Sequence, residues 1–117
     1  MTLHCPSTPQ TKKLLNASSI AQMKPGSVVV NLARGDLIDT AALVAALQSG
    51  HLAGAALDVC DPEPIPADSP LRTLPNVIVA SHIASASPKA VRTLRETAAR
   101  IAAMALRGEP LPNVVNK

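Results

Sequence analysis

Ser27-Val28-Val29-Val30-Asn31-Leu32-Ala33-Arg34-Gly35 is the stretch that decides the fold. Its first five residues form a continuous apolar run, as expected of a strand buried on both faces. Arg34 then follows almost at once, beside a glycine that lets the backbone turn sharply. Upstream, Asn16 has the character of an N-cap for a short helix with Ile20 and Met23 on one face. Lys24-Pro25-Gly26 breaks that helix and turns the chain into the strand. Residues 1–5 read as the end of an earlier strand, and Pro6 to Thr11 as a loop.

Downstream, a loop over Leu32 to Leu37 precedes a helix capped by Asp39, carrying Leu43, Val44 and Leu47 and closed by Gly50 at C′. Gly54 to Val59 reads as the next strand, with small residues that permit close helix packing. A Pro-rich loop spans Asp61 to Pro75, and Asn76 to Ala80 reads as a further buried strand. Ser87-Pro88 supplies an N-cap and a Pro at N1. A helix over residues 88–107 follows, with the stripe Val91, Leu94, Ala98, Ile101 and Ala105. Gly108 ends it, leaving a tail over 108–117. This order predicts an α/β fold with right-handed crossovers and a mostly parallel sheet. Ligands in such sheets bind beyond the carboxyl ends of the strands, which directs attention to the loops after Cys5, Asn31, Val59 and Ala80.

The 117 residues suffice for one modest core, and 47% hydrophobic content opposes disorder. There is no Phe, Tyr or Trp, so the core is aliphatic and no base-stacking platform for nucleic acid is available. The net charge of +3 gathers in Lys89, Arg92, Arg95, Arg100 and Arg107, interrupted by Glu96, which reads as a solvated helix face. Cys5 and Cys60 form no paired motif and no metal-ligand spacing, so no metal is expected. Isolated thiols without a leader segment predict a reducing, cytoplasmic setting. No apolar run approaches the roughly 18 residues of a membrane span.

Four polar residues stand at the loop edge. Arg34 offers a planar fork that matches a carboxylate. Asp58 lies inside an apolar run, where an acid is costly unless it has a partner or a task; capping a neighbouring loop would supply one. Glu63 sits between Pro62 and Pro64, and His82 just past the last strand. An Arg, a Glu and a His, each beyond a strand's carboxyl end, supply a carboxylate clamp, an orienting base and a proton donor. His4 and His51 read as surface or satisfied core residues.

With these motifs the chain resembles the D-isomer-specific 2-hydroxyacid dehydrogenase family along essentially its whole length. The matching segments are Cys5-Pro6-Ser7-Thr8-Pro9-Gln10-Thr11, Met23-Lys24-Pro25-Gly26, Val30-Asn31-Leu32-Ala33-Arg34-Gly35 and Ala53-Gly54-Ala55-Ala56-Leu57-Asp58-Val59. Glu63-Pro64, Pro75-Asn76-Val77-Ile78 and Ser81-His82-Ile83 complete them. The resemblance implies the C-terminal half of a Rossmann-like doubly wound parallel sheet. It implies Arg34 as substrate-binding residue, His82 as catalytic acid–base and Glu63 as the acid paired with it. It also implies that Cys5, Pro6, Ser7, Thr8, Thr11, Leu32, Ala33, Arg34, Asp58 and His82 contact NAD or NADP, with Asp58 at the nicotinamide end. The reaction implied is hydride transfer between NAD(P)H and a small 2-oxo or 2-hydroxy acid. A cytoplasmic homodimer without nucleic-acid or membrane partners is implied for the intact protein. The stretch from Arg107-Gly108-Glu109-Pro110 to Asn113-Val114-Val115-Asn116 is similar to the C-terminal-binding-protein corepressors and to glyoxylate and hydroxypyruvate reductases.

The chain departs from the family pattern at Ser81, where Pro is common before the His, and at Cys60 and Arg72, where an aromatic is common. It also has five glycines, none in the G-x-G-x-x-G spacing that cradles a pyrophosphate. The expectation is therefore a fragment, inactive in isolation. The alternative, from another class, is a non-catalytic module of the same fold that senses dinucleotide or binds a protein partner.

Overall fold

The computed structural model describes residues 1–115. The last residues of the expected tail, including Asn116 of its closing motif, lie outside them. The chain forms two compact units, the first from Met1 to Ala84 and the second beginning at Ser85. In the first, β1 (Thr2–Leu3), β2 (Ser27–Asn31), β3 (Leu52–Leu57) and β4 (Val77–Val79) make one sheet in sequence order, every neighbouring pair parallel. Helices α1 (Ala17–Ala21) and α2 (Thr40–Gln48) form the first two crossovers. Asn16 caps α1, its side chain accepting from the Ser18 and Ser19 N–H groups, and the Asp39 carboxylate caps α2 at Ala42 N. Gly50, with φ +75, closes α2 in the left-handed conformation that favours glycine.

Strands that march in one direction send all right-handed crossovers to the same side. Accordingly α1 touches α2, and α2 packs on β3. This corrects the expectation that Ser27 to Asn31 is buried on both faces: Val29 is fully buried, but Val28 is 47% exposed. Ile78 of β4 is 72% exposed for the same reason, so that strand is not buried on both faces either. The core on the covered side is aliphatic, built on Leu37, Leu43, Leu52 and Val29, each at most 1% exposed.

The strand limits also shift. Leu3, Asn31, Leu57 and Val79 are aligned across the sheet as its last paired residues. β2 ends at Asn31, so β1 cannot run on to Cys5, nor β3 to Val59. β3 begins earlier than Gly54 because Leu52 pairs with Ser27, and β4 is shorter than 76–80 by one residue at each end. The loops therefore leave the sheet after Leu3, Asn31, Leu57 and Val79, which makes Asp58 the first residue of a loop.

The second unit is α3 (Pro88–Leu106), capped by the Ser87 hydroxyl at Ala90 N. Arg107, expected inside the helix, is its C-cap, and Gly108 follows with φ +69. No residue of α3 is buried. Its basic face is partly offset by an Arg92–Glu96 pair one turn apart. No described helix is long and apolar enough to cross a membrane.

Candidate active site

Two residues among those described are both buried and polar, Asn31 at 0% and Asp58 at 5% exposure. They occupy the ends of adjacent strands and are joined by the Asp58 N–H donating to Asn31 O at 3.0 Å. Each grips the backbone of a loop that carries predicted chemistry. Asn31 Nδ2 donates to Arg34 O at 2.8 Å, and its Oδ1 accepts from Ala33 N at 3.0 Å. Asp58 takes three successive N–H groups: His82 on its main-chain oxygen, Ile83 on Oδ1 and Ala84 on Oδ2, all within 2.9 Å. The Asp58 carboxyl is held below the usual carboxylate range. The Ala84 N–H is the main cause, burial opposes it, and the Ile83 N–H and nearby His82 reinforce the lowering.

His82 itself has φ +58, a left-handed conformation that only a few per cent of non-glycine residues adopt. The three bonds to Asp58 offset a backbone cost of about 1 kcal/mol or more. That turn brings His82 Nδ1 to 2.8 Å from Glu63 Oε1, across a loop and a strand, with both side chains about half exposed. Asp58, Cys60, Glu63, Pro64, Ile65, Ala80, Ser81 and His82 line a small pocket of about 140 Å³. Ile65, Ala80 and Ser81 are shared with a larger groove of about 580 Å³ that Arg72 also borders. Of the departures, Cys60 and Ser81 thus line the pocket with His82, and Arg72 borders the adjoining groove. Burial, and secondarily the Glu63 charge, push the Cys60 thiol up.

Arg34 stands apart from that pair. It lines an open groove of about 500 Å³ with His4, Cys5, Pro6, Ser7, Leu32 and Ala33. Its Nη1 donates to Ala33 O at 2.7 Å, and among the described residues its fork makes no other hydrogen bond. Ser7 Oγ donates to Asp36 Oδ2 at 2.6 Å, which ties the first loop to the second. Thr8 and Thr11 are not among the groove's lining residues. Thr11 Oγ1 donates to Pro6 O at 2.7 Å and accepts from Thr8 N at 2.8 Å, so this pair shapes the loop that presents Cys5 to Ser7. The role of Gly35 differs from expectation. Its backbone is not left-handed; a Cβ there would lie 1.9 Å from Cys60 O, so glycine is required for close approach, not for a turn.

The structure thus joins Glu63 to His82, and gathers Cys5, Pro6, Ser7, Leu32, Ala33 and Arg34 in one groove. Asn31 and Gly35 were legible only as parts of a motif. The signal for Asn31 was a polar residue closing an apolar run; for Gly35 there was none beyond its identity. Among the described residues, no group of three or more His, Cys, Asp or Glu is arranged to hold a metal ion.

Residues 1–84 match the family model of the D-isomer specific 2-hydroxyacid dehydrogenase NAD-binding domain. A glyoxylate reductase from Thermofilum pendens is 44% identical over the whole chain, which covers 34% of that relative. A Thermus thermophilus crystal structure superposes with a TM-score of 0.93 at 46% identity, over 97% of this chain and 36% of the other. D-lactate dehydrogenase with NAD+ from Lactobacillus jensenii gives a TM-score of 0.90 at 34% identity, over 99% of this chain and 39% of its own. The chain spans about a third of the length of these relatives.

Proposed function

The chain belongs to the D-isomer specific 2-hydroxyacid dehydrogenase family, and from that premise we propose that the whole protein interconverts 2-oxo acids and D-2-hydroxy acids with NAD(H) or NADP(H). The observation that carries the reading is the 2.8 Å pairing of His82 Nδ1 with Glu63 Oε1 at the carboxyl edge of the sheet. A histidine held through one ring nitrogen presents the other to a ligand in a defined direction.

The groove beside Arg34 suits the nicotinamide end of a dinucleotide. Cys5, Pro6, Ser7 and Ala33 are small and uncharged, leaving space for a flat ring against main chain. A reduced nicotinamide supplies a hydride to an electrophilic carbon when bound. Arg34 holds the substrate carboxylate and, through its remaining N–H donors, draws charge from the adjacent carbonyl. His82 Nε2 delivers a proton to the carbonyl oxygen as the alcohol forms, and takes it back in the reverse direction. Glu63 keeps the ring from rotating by accepting from Nδ1. Asp58 fixes the loop on which His82 stands, and our assignment of it to the nicotinamide end rests on the family resemblance.

The reading extends to a cytoplasmic homodimer acting on a small 2-oxo or 2-hydroxy acid. Two free thiols fit the reducing setting; sedimentation of the whole protein tests the dimer. The activity is tested by following oxidation of NADH and NADPH by the whole protein with glyoxylate, hydroxypyruvate and pyruvate. Turnover that His82→Gln lowers by about a hundredfold or more is expected. Dinucleotide binding without turnover on any 2-oxo acid would replace the enzyme with a sensing module.

A further inference from the structure

The Asn31 side chain is fully buried, yet neither of its bonds joins two elements of the core. A buried amide is costly unless both its donor and its acceptor are met. Here they are met by a single loop: Nδ2 by Arg34 O and Oδ1 by Ala33 N. A planar amide presents a donor and an acceptor side by side, which suits one N–H and one C=O from successive residues. Ionised Asp supplies only acceptors, and an aliphatic residue supplies neither.

Arg34 is held from a second direction as well. The next residue, Gly35, abuts the Cys60 main chain so closely that no Cβ fits between them. Between these restraints Arg34 lies in an extended conformation, φ −144 and ψ 142, before a 3₁₀ turn over Gly35–Leu37. Its main chain therefore fixes where the guanidinium starts, and only the side-chain torsions remain free. A shift of about an ångström in a group that orients substrate can cost a hundredfold in rate.

We infer that Asn31 is a positioning residue, which sets the Arg34 guanidinium for the substrate carboxylate by clamping the Ala33–Arg34 backbone. This rests on the reading of Arg34 as the carboxylate clamp. The diagnostic substitution is Asn31→Asp, which has the same shape. Ionised, it faces Arg34 O without a donor; protonated, its O–H donates there again.

The whole protein is assayed with glyoxylate and reduced dinucleotide from pH 5 to 8, with urea midpoints recorded in parallel. At pH 8, Asn31→Asp should raise KM for glyoxylate roughly tenfold or more. The ratio of variant to wild-type KM should fall towards one as the pH is lowered. Asn31→Ser, neutral and unable to bridge both groups, should show a raised KM with no such recovery. A folded Asn31→Asp protein with wild-type KM at pH 8, or with a KM ratio that does not change with pH, would overturn the inference. If the Asp variant does not fold, Asn31→Ser decides, and an unchanged KM there overturns it equally. Absence of wild-type turnover would remove the parent reading and this inference with it; wild-type turnover with insensitive variants removes the inference alone.

Discussion

The loops after β2 and β4 are each governed by a buried polar residue from a strand end, Asn31 for the first and Asp58, just past β3, for the second, yet the two clamps differ in kind. Arg34 is extended and its loop offers one N–H and one C=O, which a neutral amide satisfies. The turn at His82 aims three successive N–H groups inward, a concavity suited to acceptors alone, and the main-chain oxygen and carboxylate of Asp58 fill it. The backbone conformation of each loop dictates the chemistry of its clamp. One clamp is indifferent to pH and the other is not.

The most damaging test strikes the contact between the loops after β2 and β3. Gly35→Ala places a methyl group against the Cys60 carbonyl, where only main chain can yield. A loss of about 3 kcal/mol or more in urea unfolding is expected, beyond ordinary overpacking; a wild-type midpoint would show that the loops are not in fixed contact. Next, Asp58→Asn keeps the shape but leaves one of the Ile83 and Ala84 N–H groups facing an NH₂. In the whole protein it should lower kcat for 2-oxo acid reduction by on the order of tenfold or more, through a misplaced His82. Unchanged kcat would mean that the turn at His82 stands without its carboxylate.

Acid should separate the two clamps without any mutation. The Asp58 carboxyl is lowered in the fold, so its stabilisation is complete above the unfolded value. It is lost as the pH falls through the lower, folded one. Below about pH 4, the Ile83 and Ala84 amide resonances should shift while the Ala33 amide holds its position, as followed by NMR on this chain. Simultaneous movement of all three would erase the distinction.

Two smaller effects sharpen the picture around His82. Glu63→Gln replaces a carboxylate by an amide at a half-exposed pair. The proton of neutral His82 should then move away from Nδ1, visible in the ring ¹⁵N shifts, with the neighbouring amides nearly unchanged. The same substitution removes the charge that helps to push the Cys60 thiol up. Its alkylation at pH 8 should therefore quicken by roughly twofold, a modest change because burial is the larger cause.

The sheet and its helices were legible because their signals are local. Asn16, Asp39 and Ser87 cap the helices they precede, and the valine run ends where β2 ends. Strand limits were less so, since β1 and β3 stop where a neighbour stops and no residue in them says so. Single-face burial of Val28 follows from the direction in which the strands march, which composition does not encode. In the site, residue types announced Arg34, Glu63 and His82. The hydrogen bonds of Asn31 and the contact of Gly35 depend on distances between segments far apart in sequence, and these exist only once the chain is folded.

The meeting of Gly35 with the Cys60 main chain bears on how such a protein can change. The two loops touch without any side chain between them, so a displacement of one passes to the other as through a rigid bearing, with no spring in the joint. Cys60 and Ser81 line the His82 pocket and Arg72 the groove beside it, but none contributes a side chain to that bearing. Their identities can follow the size and polarity of a ligand while the alignment of the loops is inherited intact.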